Sequence, residues 1–224
     1  MGVMESKQSE PGLKKVRQQG SWDCGIACAQ MVASFCGVVI SYDKLCEKVA
    51  TKSVWTVDLA FLLHKLNISA VFCTITMGVR PDHASEPFYS GDMDADTKRV
   101  TELFAAAAKR GVKIEQRTVK SDELDMHLRN GGVIVSLVDR RRLVCLKCSS
   151  GKRSSGSFLG HFIVVKAVDT LGQYVYLDPN ETAGECYMTR AVWDAARTAV
   201  GTDEDILLIA PIKAVLNLER DLLK

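Results

Sequence analysis

The first half of the chain repeats its apolar positions with the period of an amphipathic α-helix. Between Cys24 and Phe35 these positions recur every three or four residues, at Ile26, Ala29, Val32 and Ala33, which is the spacing of one helix face. Gly37 follows at the kind of position where helices end in the left-handed conformation. The pattern therefore predicts a helix that begins at or near Cys24.

Similar patterns predict further elements up to residue 130. Helices are expected over 41–50, 56–66, 92–110 and 121–129, and strands over 68–76 and 112–119. Ser41 and Ser121 stand at positions typical of helix N-caps. Prolines and small polar residues over 78–91 predict a long loop between two of these elements.

The remainder of the chain is richer in β-branched and alternating segments. Strands are expected over 133–138, 161–169, 174–177 and 206–210, a helix over 189–199, and a polar, basic loop over 140–156. Helices lead and strands follow, which is the segregated order of an α+β fold. We expect a disordered tail over 1–12 and a single domain over 13–224, with an insertion around 78–130 and N-terminal helices packed on an antiparallel sheet.

Composition narrows the classes of protein to be considered. The 29 basic residues nearly balance the 27 acidic ones, which leaves a net charge of +2, so the chain lacks the strong positive field of nucleic-acid binders. The polar first twelve residues do not resemble a signal peptide. The eight cysteines are therefore expected to be reduced thiols in a cytoplasmic or nuclear protein, and the oligomeric state is left open.

The N-terminus carries Met1-Gly2-x-x-x-Ser6, which fits the pattern for myristoylation of Gly2. A single acyl chain gives only weak, reversible membrane contact. No segment approaches the roughly 20 consecutive apolar residues of a membrane span. We expect no stable membrane insertion, with weak contact through an acylated Gly2 as an open alternative.

The segment Gln18-x-x-x-x-Asp23-Cys24-Gly25-x-Ala27 is the first candidate for chemistry. A thiol at a helix N-terminus faces unpaired backbone N–H groups and the positive end of the helix dipole, and both favour the thiolate. Gln18, on a strand expected to lead into the helix, is placed to turn its amide N–H toward the same point. Together with the N–H of Cys24 it is expected to stabilise an oxyanion.

A thiolate nucleophile needs a base, and the chain offers four histidines. His161 differs from the other three because it opens an apolar strand directly after a glycine-containing loop. The next strand ends in Leu177-Asp178-Pro179-Asn180, where Asp178 supplies a carboxylate to orient the imidazole. An ideal hairpin sets His161 opposite a residue near Thr182, so the pairing with Asp178 requires a bulge or a diagonal reach, and Asn180 is the fallback.

These motifs resemble those of the double-glycine leader peptidases of bacteriocin exporters, which are papain-fold cysteine peptidases. The resemblance rests on Gln-x(4)-Asp-Cys-Gly-x-Ala, a later Gly-His-Phe-Ile-Val-Val and a following Asp-Pro. It implies that Gln18 is the oxyanion residue, Cys24 the nucleophile, His161 the base and Asp178 the orienting acid. The implied fold is papain-like, and the implied activity is thiol-dependent hydrolysis of a peptide or protein.

A nearly full-length resemblance is to the eukaryotic guanylyl cyclase domain-containing family. It is carried by Trp-Asp-Cys-Gly-x-Ala-Cys from Trp22 to Cys28 and by the later Gly-His-x-Ile-Val. The family name implies conversion of GTP to cyclic GMP with magnesium or manganese, whereas the hydrolase interpretation implies no cofactor. A catalytically inactive interaction module is the third alternative.

Two other features of the sequence match known binding motifs only in part. Cys145-x-x-Cys148 has the spacing of half a zinc site, but no second Cys or His pair lies nearby in the chain, so we expect no metal ligand here. The basic loop over 140–156 lacks the residue order of a P-loop. It is interpreted as a solvated segment whose charges can meet an acidic partner or a nucleotide phosphate.

Overall fold

The computed structural model describes residues 12–81, 83, 93–148 and 156–211. The acylation pattern at Gly2, nearly all of the predicted tail, and parts of the loops expected over 78–91 and 140–156 lie outside these residues. Gly12, which ends the predicted tail, contacts the first helix, because the Ser34 hydroxyl donates a 2.9 Å hydrogen bond to its carbonyl.

Six α-helices are present in the described residues. They are α1 (Cys24–Phe35), α2 (Tyr42–Val49), α3 (Thr56–Lys65), α4 (Met93–Ala106), α5 (Ser121–Arg129) and α6 (Arg190–Arg197). Ser41 caps α2 as expected, since its side chain accepts from the backbone N–H of Lys44. Ser121 is instead the first residue of α5, and Lys120 occupies the N-cap position. The helix expected over 92–110 ends early and continues as a separate 3-10 turn, Ala108–Arg110.

The seven strands found in the described part of the chain form one sheet. They are β1 (Ala70–Thr74), β2 (Lys113–Gln116), β3 (Val133–Asp139), β4 (Gly160–Val168), β5 (Tyr174–Leu177), β6 (Cys186–Met188) and β7 (Ile206–Ile209), in the order β2-β1-β7-β3-β4-β5-β6. The expected α+β class is confirmed. The sheet is not wholly antiparallel, because β1 and β2 pair in parallel, as strands joined by a helical crossover do.

Side chains of the sheet alternate between two apolar cores. Val135 and Leu137 face the core that includes α1, α2 and α3. Ile134 and Val138 face the opposite core, which includes residues of α5 and α6. The sheet therefore lies between two helical layers, whereas the sequence indicated only the N-terminal one.

Part of the predicted insertion contributes directly to this architecture. Strand β2 extends the sheet by pairing with β1, and Leu124 and Leu128 of α5 are buried in the second core. None of the described helices has both the length and the apolar character needed to cross a bilayer.

Candidate functional site

Cys24 is the first residue of α1, and the glycine that follows it determines how closely this helix approaches the sheet. A Cβ atom on Gly25 would lie 3.1 Å from Leu59 of α3 and 3.2 Å from Phe162 of β4. Such distances are tighter than normal packing allows. The glycine therefore lets the start of α1 rest against β4, one residue from His161.

The turn before α1 is held by a buried carboxylate. Asp23, 2% exposed, accepts hydrogen bonds from the backbone N–H groups of Gln19 at 3.1 Å and Gly20 at 3.0 Å. Its side chain makes no capping bond to α1. Sequence reasoning gave Asp23 no role of its own, although its place beside the candidate nucleophile was a usable signal.

His161 and Asp178 are paired beneath the surface. The Nε2 atom of His161 lies 2.7 Å from Oδ1 of Asp178, and the two residues are 4% and 3% exposed. Burial alone would raise the pKa of Asp178, but the hydrogen bond to His161, the N–H of Asn180 and the charge of Arg140 hold it below its usual value. The carboxylate is therefore ionised at neutral pH.

A β-bulge produces this pairing. Val168 is opposite Tyr174, but the register shifts between Val165 and Ala167 so that Val164 is opposite Leu177. Continued toward the start of β4, this register sets His161 opposite Asn180, not opposite a residue near Thr182. Asp178 then lies two residues along the same face of the sheet, within diagonal reach.

Asn180 does not take the orienting position. Its backbone N–H donates a 2.8 Å hydrogen bond to Oδ1 of Asp178, and its side-chain amide faces the guanidinium of Arg140. Of the two candidates that the sequence left open, Asp178 is therefore the residue that contacts the imidazole.

The imidazole is also influenced by Cys24 of α1. Burial lowers the pKa of His161, but hydrogen bonds to Asp178 and to Cys24 outweigh it and raise the pKa to about 9. Since Asp178 holds Nε2, Nδ1 is the ring nitrogen that remains available. The surroundings therefore favour the protonated form of the ring, once it has accepted a proton.

The other described histidines lie elsewhere. Nε2 of His83 is 2.8 Å from Asp203, and Nε2 of His127 is 3.1 Å from the carbonyl of Val133. His64 lies in the last turn of α3. Neither of these two contacts involves a cysteine of α1.

Gln18 reaches the site from the expected side but in a different way. It lies in no strand, and its backbone N–H donates a 3.0 Å hydrogen bond to the carbonyl of Pro179, directly after Asp178. Its amide nitrogen donates to the carbonyl of Gly20 at 2.6 Å, while its buried Oε1 has no hydrogen-bond partner in the described structure. Gln18 is thus held beside Asp178 with its amide engaged in its own turn.

The second thiol of α1 lies behind the first. Cys28 is fully buried, and its pKa is raised by burial and further by the proximity of Cys24 and Asp178. Cys24 itself is 5% exposed, so little of this residue is open to solvent. All eight cysteines are free thiols.

Comparison with known proteins identifies the family of this chain. The family model described as guanylylate cyclase matches residues 13–209. The chain belongs to this family. A member named Guanylyl cyclase 1, from Arabidopsis thaliana, is 36% identical over 223 residues, which cover 92% of this chain and 81% of the relative.

Solved structures of similar fold come from bacterial peptidases. A protein from Bacillus anthracis described as a C39-like peptidase has a TM-score of 0.54 and 13% identity, covering 92% of this chain and 98% of that one. The peptidase domain of Streptococcus ComA, a bifunctional ABC transporter, has a TM-score of 0.47 and 17% identity, covering 89% and 99%. The first likeness confirms the papain-like fold and concerns the fold alone.

Proposed function

We propose that the chain is a thiol-dependent hydrolase of amide or ester bonds in a peptide or protein, with Cys24 as its nucleophile. The observation that carries the proposal is the buried hydrogen bond between His161 and Asp178, together with the influence of Cys24 on the pKa of the same imidazole. A nucleophile, a base in contact with it and a third group that orients the base are the geometric requirements of this chemistry.

The roles of the three side chains follow from their protonation. The proton of Cys24 moves to His161, and the negative charge of Asp178 stabilises the resulting imidazolium. The thiolate attacks the carbonyl carbon to form a tetrahedral intermediate. The imidazolium then donates its proton to the leaving group, which departs and leaves the acyl group as a thioester on Cys24. Neutral His161 next takes a proton from water, and the hydroxide releases the acyl group and restores the thiol.

The oxyanion formed during attack needs donors beside Cys24. The backbone N–H of Cys24 is available because the first N–H groups of a helix have no intrahelical partner. Gln18 becomes the second donor when its amide turns away from the carbonyl of Gly20, where it now donates. The backbone bond from Gln18 to Pro179 keeps this amide near the site during the rotation.

The name of the Arabidopsis relative favours a second candidate function, conversion of GTP to cyclic GMP. That reaction uses a divalent cation held by carboxylates. The buried carboxylates of Asp58 and Asp96 are both ion-paired with Arg99, and burial raises the pKa of Asp205 well above its usual range. The described residues thus do not fit a magnesium or manganese site, and we place no catalytic step there.

One experiment separates these functions. The full chain, a Cys24→Ala variant and a matched Cys28→Ala control are incubated with an acyl-transferring activity probe, and adducts are mapped by mass spectrometry. We expect an adduct at Cys24 in the native chain and in the control, and none in Cys24→Ala. The same samples are assayed for cyclic GMP with GTP and either magnesium or manganese.

Two results would contradict the hydrolase proposal. One is cyclic GMP formation that persists in Cys24→Ala, which favours the cyclase. The other is a probe that reacts at Cys24 no faster than at Cys28, together with no cyclic GMP, which leaves the inactive interaction module.

A further inference from the structure

A second group of thiols lies outside the candidate site. The sulfurs of Cys145, Cys148 and Cys186 all lie within 4.8 Å of one another. Cys145 and Cys186 are buried and Cys148 is partly buried. Within the described residues this is the one group of three or more side chains arranged as metal ligands.

The spacing of the sulfurs matches metal coordination. The sulfurs of Cys148 and Cys186 are 3.7 Å apart. A disulfide would need about 2.05 Å, whereas tetrahedral zinc with bonds of about 2.3 Å separates its sulfur ligands by roughly 3.8 Å. The pair is thus already at the distance that a shared zinc ion imposes.

The backbone around Cys145 is arranged for a thiolate. Its sulfur accepts hydrogen bonds from the N–H groups of Lys147, Cys148 and Tyr187, each at 3.4 Å. The Lys147 ammonium lies 3.3 Å from the ring centroid of Tyr187, which brings a positive charge to the same turn. Donors directed at a metal-bound sulfur orient it and offset its negative charge.

We propose that Cys145, Cys148 and Cys186 bind a Zn²⁺ ion as three thiolates. Binding releases the three thiol protons to solvent, and a water molecule completes the tetrahedron, because residues 149–155 contain no Cys, His, Asp or Glu. Zinc is the chemical choice since sulfur ligands in tetrahedral geometry favour it over hard cations. The sequence interpretation that excluded a metal considered only residues near in the chain, whereas β6 supplies the third ligand.

The position of the cluster gives the ion a structural role. The N–H of Leu146 donates a 2.8 Å hydrogen bond to the carbonyl of Tyr187, so the cysteine turn lies along β6. Cys186 is opposite Tyr176 of β5, two residues before Asp178. A zinc ion here joins the segment after β3 to β6 and fixes the strand that presents Asp178.

The test uses the full chain prepared without chelators and dialysed against zinc. Elemental analysis is expected to find about one zinc ion per chain. Titration of the metal-free chain with Co²⁺ is expected to give the sulfur-to-cobalt charge-transfer band and the visible bands of a tetrahedral site. Chelation is expected to lower the melting temperature, because a ligand that binds only the folded state stabilises it.

The variant Cys148→Ser alters the partly buried ligand, and Cys36→Ser, another partly buried thiol at the end of α1, is the matched control. We expect zinc affinity to fall at least about tenfold in Cys148→Ser, by analogy with losses on altering metal shells, and to be unchanged in Cys36→Ser. Zinc content is measured independently of hydrolysis, so Cys24→Ala should retain it.

The proposal is overturned if the native chain holds no more zinc than Cys148→Ser, or if cobalt gives no thiolate spectrum. It is also overturned if mass spectrometry of the protein from cells finds a Cys148–Cys186 disulfide. Neither result would bear on the reactivity of Cys24.

Discussion

The two groups of thiols differ in what surrounds each sulfur. Cys24 meets an imidazole that is held by a buried carboxylate. Cys145 meets three backbone N–H donors and two further sulfurs. The roles that we propose for the two groups, proton exchange at Cys24 and metal binding at Cys145, therefore follow from the neighbours of each sulfur and not from the residue type.

The largest expected loss of reactivity at Cys24 comes from removing the imidazole. We expect His161→Ala to lower the rate of acyl-probe reaction at Cys24 by about 10³-fold at neutral pH, within the usual range for a general acid–base residue. His64→Ala, on the outer part of α3, is the control and should react normally. Zinc content should be equal in both variants, and a Cys24 rate unaffected by loss of His161 would exclude the proposed base.

Replacing the orienting carboxylate should have a smaller effect. Asp178→Asn keeps the size of the side chain but removes the charge that helps to raise the pKa of His161. We expect a rate loss of roughly 10²-fold, and a pH–rate profile whose limb for loss of the imidazolium moves to lower pH. Asp122→Asn, at a 98% exposed side chain, controls for charge, and an unshifted profile would contradict the assigned role.

A third variant tests the packing at the start of α1 and alters no titrating group. Gly25→Ala adds a Cβ that meets Leu59 and Phe162 at 3.1 and 3.2 Å, so we expect the free energy of unfolding to fall by about 1–3 kcal/mol. Gly184→Ala has open space around its Cβ and should change stability little. Chemical denaturation of both variants measures the difference, and equal stabilities would mean that α1 is not held by this contact.

The last expected effect is on the pH dependence of stability, which reports on the same imidazole. The pKa of His161 is raised to about 9 in the folded state, from about 6.5 when unfolded. A raised pKa contributes stability that is complete below the unfolded value and is lost as pH rises through the folded one. We expect native stability to fall more steeply between pH 6.5 and 9 than that of His161→Gln, and parallel curves would contradict the shift.

Most of the helical layer followed from the sequence because periodicity is a local property. Helix α1 begins and ends where the apolar spacing predicted, and the segment after Ser41 is helical as expected. Strand β6 was missed because three residues are too few to display alternation. The parallel pairing of β1 and β2 was also missed, since pairing partners depend on the path of the chain between them.

The site was predictable to a similar degree. Asp178, His161 and Cys24 were identified by their places at element ends, and the structure brings them together. The hydrogen bonds of Gln18 to Gly20 and Pro179 were not predictable, since they depend on how a turn meets a distant loop. Cys186 was likewise unrecognised as a neighbour of Cys145, because 40 residues separate the two in the chain and only the pairing of β6 brings them together.

The bulge in the hairpin of β4 and β5 determines where residues can be deleted from β4 without changing the residue opposite His161. Lys166 is the extra residue of the bulge and has no partner residue in β5. Deleting it would therefore give an uninterrupted ladder and leave His161 opposite Asn180. A deletion between His161 and Val165 would instead exchange inward and outward side chains over part of β4. Insertions at the tip around Gly172, where an added Cβ would meet no neighbouring atom, should be tolerated, which makes the tip the natural place to attach a reporter.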